Sequence, residues 1–130
     1  MPNPNSGPIF ADREVRTIER EELREKITRG DDFKLVMSLN EWAFDAKRIP
    51  KSIHFNTPDE MLSKLKKDDE IVVYCSNPPC LASLAAYRRL VDHGYTNVRR
   101  YAGGLIDWED AGFPLEGDWV TESTPGGAER

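Results

Sequence analysis

The sequence predicts an α/β domain: a central, mostly parallel, five-stranded sheet with helices on both faces. Two observations carry that prediction. Strand-like and helix-like segments alternate along the chain, the pattern left by parallel strands joined through crossover helices. The run Ile71-Val72-Val73-Tyr74 is apolar at every position instead of every second one, as befits a strand covered on both sides. A chain of 130 residues is one domain by length and can bury its own core.

Taken in order, residues 1–13 are rich in Pro and Asn without periodicity and are expected to form a flexible tail; residues 14–118 form the domain; residues 119–130, with Thr-Pro-Gly-Gly, are expected to form a second flexible tail. Val15 to Ile18 reads as a short first strand. Glu21 to Arg29 is a helix with Leu23 and Ile27 on one face, stopped by Gly30. Phe33 to Met37 is a strand, and His54 is expected on another short one. Thr57-Pro58-Asp59-Glu60 is a capping box with proline at the first helical position, so a helix should run through Leu65. After the central strand, Leu84, Tyr87, Leu90 and Val91 make a helical stripe within Leu81 to His93, ended by Gly94. Val98 to Tyr101 is the last strand and Leu105 to Ala111 the last helix. Trp42, Phe44, Trp108 and Phe113 are expected to pack the helical layers.

The formal net charge is −5, with both signs spread along the chain. That balance argues against a nucleic-acid or membrane-surface partner, and Arg88-Arg89 and Arg99-Arg100 read as solvated edges. No apolar run approaches the ~20 residues that span a bilayer, and the first residues lack a signal-peptide pattern. A cytoplasmic location is therefore expected. Two cysteines, Cys75 and Cys80, point to chemistry or packing rather than a disulfide scaffold. With His54 and His93 distant and unmatched in spacing, no metal and no cofactor are expected. Ser83 has no His or Asp in a triad arrangement, so hydrolase chemistry is unsupported.

Cys75 stands where the central strand meets a loop and then a helix. A sulfur at that junction faces free backbone N–H groups and the positive end of a helix dipole, both of which favour thiolate over thiol. Its pKa is expected below the ~8.5 of a free cysteine.

The segment Glu70 to Trp108 closely resembles the rhodanese-like (sulfurtransferase) domain family. The resemblance rests on the strand ending in Tyr74-Cys75, on Ala85-Ala86, on Gly94-Tyr95-Thr96-Asn97-Val98, and on Gly103-Gly104 followed by Trp108. Upstream, Leu35-Val36 resembles the family's second strand, and Arg48-Ile49-Pro50-Lys51-Ser52-Ile53 its His-Ile-Pro-Gly-Ala-Ile segment. The likeness spans roughly Val15 to Gly117. It implies a sulfurtransferase or persulfide carrier in which Cys75 holds sulfane sulfur, with a small donor (thiosulfate or a persulfide) and a protein acceptor as partners.

The loop departs from the family's usual form. Pro78 and Pro79 lack backbone N–H groups, so the persulfide cradle is left to Ser76, Asn77, Cys80 and Leu81. Where the family often carries arginine after the cysteine, this chain has Cys80 or Leu81, and Met37 and Leu39 replace an Asp-x-Arg. Without those guanidiniums thiosulfate turnover should be weak; Arg48, standing where the family has histidine, is a candidate to restore positive charge. The missing arginine also disfavours tyrosine phosphatase chemistry. Catalytic candidates are thus Cys75 and Cys80, and binding candidates Ser76, Asn77, Pro78, Pro79, Leu81 and Arg48. Two alternatives stay open: a dithiol redox protein in which Cys80 attacks an oxidised Cys75, and a catalytically silent binding or regulatory module. Cys80 could equally be a small apolar residue packing the helix start.

Overall fold

The structure, a computed structural model, describes residues 15–76 and 81–120. Four parallel strands, β1 (Lys34–Met37), β2 (Ser52–Ile53), β3 (Ile71–Tyr74) and β4 (Val98–Tyr101), lie in the order β2-β1-β3-β4. Among the described residues five helices accompany them: α1 (Arg20–Arg29), α2 (Glu41–Ala46), α3 (Pro58–Lys64), α4 (Ala82–Asp92) and α5 (Gly104–Asp110). The expected tail over residues 1–13 and the tail residues beyond Val120 lie outside the described residues, as do Asn77, Pro78, Pro79 and Cys80.

The sheet has four strands and not the expected five. Val15 to Ile18 contributes a single bridge, Thr17 beside Arg100, made by Ile18 N–H to Arg100 C=O (3.1 Å) and Arg100 N–H to Arg16 C=O (2.7 Å). Glu19 already caps α1, so the chain leaves the sheet edge before a second pairing can form.

Alternation along each strand divides the core. Val72 and Tyr74 point with Leu35 and Met37 toward Leu23 of α1 and Trp108 of α5. Ile71 and Val73 point with Val36 toward Met61 of α3 and Tyr87 and Leu90 of α4. Helices on both faces explain why every residue of β3 is buried.

Local signals behave as the sequence suggests at most ends. Gly30 closes α1 at φ 77°, in the left-handed region that only glycine adopts without cost. Thr57 Oγ1 accepts from Glu60 N–H (3.0 Å), while the Glu60 carboxylate reaches one residue further back, to Asn56 N–H (2.7 Å). Helix α2 was not foreseen; its signal is Asn40, whose side chain accepts from Ala43 N–H (2.8 Å).

Two packing expectations need correction. The buried stripe of α4 is Ser83, Tyr87 and Leu90, with Val91 exposed. A hydroxyl replaces an aliphatic side chain at the inward position because it has polar partners there, described below. Trp42 is 65% exposed and does not pack the layers; it meets Trp119 edge-on, with ring centroids 5.1 Å apart. The short α2 turns Phe44 inward and so carries Trp42 to its outer face. Asp118 N–H and Trp119 N–H bond to the Asp45 and Ala46 carbonyls (2.8 and 2.9 Å), so packing continues across the expected boundary at Asp118.

Candidate functional site

Strand β3 runs directly into Cys75, which is 1% exposed. Its neighbours on both sides are fixed by backbone bonds. Ser38 N–H donates to Tyr74 C=O (2.8 Å), while the first turn of α5 donates from Leu105 N–H to Cys75 C=O (2.8 Å) and from Ile106 N–H to Ser76 C=O (2.9 Å). Ser76 is thus held through its carbonyl, next to the cysteine. Gly103 and Gly104 permit this approach: Gly104 has φ 72°, and a Cβ on Gly103 would stand 2.7 Å from the Asp107 side chain. The glycine pair therefore shapes a turn.

The Cys75 sulfur lies 3.3 Å from Ser83 Oγ, in the first turn of α4. Cys75 is disulfide-bonded. A disulfide sulfur carries no proton, so Ser83 is the donor in this pair. Ser83 in turn accepts from Arg100 Nε (2.8 Å). The parallel register explains which arginine arrives. Arg100 lies beside Val73 and shares its face, toward α4, whereas Arg99 lies beside Val72 and bonds Glu22 of α1 (3.0 Å) and Glu70 (3.4 Å). Both arginines are half-buried and bonded instead of forming a solvated edge. Ser83 and Arg100 were missed as site residues; the placement of a serine two residues into a helix that follows a strand-end cysteine was the available clue.

Tyr74 braces the same region from the other side. Its hydroxyl accepts from Ile49 N–H (3.0 Å) and shares a 2.6 Å bond with Ser52 Oγ. Burial raises its pKa to about 12, against the lowering effect of those two partners. The turn it holds is tight: Ser52 N–H bonds Ile49 C=O (3.1 Å), and Lys51, where the family motif carries glycine, has φ 74°.

Of the remaining candidates, Leu81 precedes α4, is 70% exposed, and accepts from Ala85 N–H through its carbonyl (2.9 Å). Arg48 is engaged elsewhere: its Nη1 donates to Phe44 C=O (3.1 Å), its guanidinium lies 4.7 Å from the Phe44 ring centre, and Nε is 3.7 Å from a Glu116 carboxylate oxygen.

A cleft of about 550 Å³ opens at the carboxyl end of β1, between β2 and α4. Met37, Leu39, Phe55 and Met61 supply an apolar wall, facing Ala82, Ala85 and Ala86 of α4, with Arg89 contributing a cation. The chain leaves β1 toward β2 and returns on the other side to β3, so this is the point of the sheet where strand order reverses. Among the described residues no group of three or more His, Cys, Asp or Glu side chains is placed to hold a metal ion. No helix among them is long and apolar enough to cross a membrane.

Fold and site define a doubly wound α/β domain with a cysteine at the end of its central strand. A profile of the Rhodanese-like domain matches residues 19–111, and the chain belongs to that family. It is 26% identical over 103 residues to a sulfurtransferase from Allochromatium vinosum, covering 78% of this chain and 94% of the relative. Among solved structures, it is similar to the rhodanese-like domain of an Anabaena protein, with 24% identity, 88% and 87% of the two chains covered and a TM-score of 0.72. A Bacillus halodurans protein gives a TM-score of 0.73 at 20% identity, with coverage of 85% and 83%.

Proposed function

We propose that this domain is a sulfurtransferase or persulfide carrier working through Cys75. The observation that carries the reading is the position of Cys75: at the end of the central strand, with its sulfur 3.3 Å from the Ser83 hydroxyl in the first turn of α4. The kinship to a sulfurtransferase supports the same chemistry. In that reaction the Cys75 thiolate attacks the outer sulfur of a donor such as thiosulfate. A Cys75–S–S⁻ persulfide forms as sulfite leaves with the electron pair of the broken S–S bond. A second nucleophile then attacks the terminal sulfur, takes it, and returns Cys75 as thiolate. The apolar wall of the cleft, lined by Glu41 as well as Arg89, suits a low-charge persulfide donor better than a small dianion.

A second reading is favoured by the disulfide at Cys75. The chain's other cysteine is Cys80, and in this reading it is the resolving thiol. Its thiol would attack the inner sulfur of the persulfide, giving the Cys75–Cys80 disulfide and releasing hydrosulfide; a dithiol reductant would then restore both thiols. A reducing compartment such as the cytoplasm suits both readings. The catalytically silent alternative is tested alongside them.

Intact mass of the reduced protein after exposure to thiosulfate, a cysteine persulfide or polysulfide separates the readings. A gain of one sulfur, lost in Cys75→Ser and retained in Cys80→Ser, supports the carrier. Loss of two hydrogens within a monomer, abolished by Cys80→Ser, supports the dithiol cycle. No change with any donor overturns both.

A further inference from the structure

Ser83 has one hydroxyl proton, and its oxygen already accepts from Arg100 Nε at 2.8 Å. The neighbour placed to receive that proton is Cys75 Sγ, 3.3 Å away. Ser83 is 1% exposed, so water does not compete for the bond on equal terms. A guanidinium donating to a hydroxyl oxygen makes that hydroxyl a stronger donor, and donors to an anion are the strong class of hydrogen bond. The three groups come from three elements: β3 ends at the sulfur, α4 supplies the hydroxyl, and β4 supplies the cation.

We propose that Ser83 is the side-chain donor that holds Cys75 as a thiolate, and that Arg100 is a positioning residue acting through Ser83. The inference rests on the sulfur-transfer reading only in giving that thiolate a task. Its physical content, a Ser83-dependent thiolate, holds for either chemistry. The relay supplies what Pro78 and Pro79 withhold, because a side-chain hydroxyl replaces backbone donors that proline lacks. It also brings positive charge toward the sulfur from β4 instead of from the loop.

The test measures the thiolate-to-thiol ratio of Cys75 from ultraviolet thiolate absorbance and alkylation rate at fixed pH, in full-length reduced protein carrying Cys80→Ser. Ser83→Ala should lower the ratio about tenfold, the scale of one hydrogen bond to a charged group. Arg100→Met should lower it severalfold, and the double variant should be no worse than Ser83→Ala alone. Ser83→Thr keeps the hydroxyl and should retain most of the ratio, which a purely packing role would not explain. An unchanged ratio in Ser83→Ala overturns the proposal. So does an equal loss from Arg100→Met when Ser83 is already alanine, since Arg100 would then act without it. Should Ser83→Ala fail to fold, an unchanged ratio in folded Arg100→Met overturns the relay. Intact mass after persulfide exposure is read on the same samples. A Cys80→Ser protein with Ser83 intact that takes up no sulfur, while the ratio still depends on Ser83, defeats the sulfur-transfer reading and leaves this one standing.

Discussion

Replacing Tyr74 with phenylalanine removes one oxygen from the residue before the candidate nucleophile. That oxygen accepts from Ile49 N–H and bonds Ser52 Oγ. Ile49 is fully buried, so its N–H loses its acceptor without gaining water, a loss of about 1–3 kcal/mol. Ser52 is half-buried and can turn to solvent, adding about 0.5 kcal/mol. The ring itself still fills its place. Together Tyr74→Phe should cost about 2 kcal/mol, or roughly 8 °C in Tm for a domain of this size. In urea, with an m-value of about 1.5 kcal/mol per molar, the midpoint should fall by about 1.3 M. Unfolding is followed in reductant so that the state of Cys75 is the same in both proteins. The pH dependence gives a second reading. The folded-state pKa of Tyr74 is raised from 10.0 to about 12, so its contribution is complete below pH 10 and is lost as pH climbs toward 12. The gap between wild type and variant should therefore narrow over that window. Burial also raises the Tyr101 pKa, but that effect is common to both proteins and cancels in the difference. A loss below about 0.5 kcal/mol at neutral pH, or a gap that stays constant to pH 12, would refute the reasoning.

Lys51→Gly should stabilise the fold by up to about 1 kcal/mol, because relief of a left-handed lysine at φ 74° outweighs glycine's extra chain entropy; denaturant melts check the sign. Gly117→Ala should destabilise by about 2 kcal/mol or more, since the new Cβ would stand 2.5 Å from the Ala46 carbonyl oxygen, a backbone atom that cannot swing away. Cys80→Arg should lower KM for thiosulfate more than it changes kcat, as a cation attracts the dianion in ground and transition state alike. Arg48→Ala should leave thiosulfate kinetics within about twofold if its side chain stays with Phe44 and Glu116; a larger loss would show that it swings to the loop.

What the sequence determined by itself is whatever depends on neighbours along the chain. The all-apolar run Ile71 to Tyr74 declares a strand covered on both faces, Thr57-Pro58 and Gly30 mark helix ends, and a cysteine between strand and helix stands out without any structure. These are legible because backbone preferences, caps and periodicity act over a few residues. Tertiary structure decided what depends on pairing between elements. The fifth strand shrank to one bridge because Glu19 turns the chain into α1. Arg48 went to Phe44 and Glu116 because the segment around Glu116 pairs back onto it. Arg99 and Arg100 read alike in sequence, yet a parallel register sends one to the α1 face and the other to Ser83. Seventeen residues separate Ser83 from Arg100, a distance no local pattern bridges. The sulfur's location was therefore written in the chain, while the hydroxyl and cation that surround it exist only once β3, α4 and β4 have packed together.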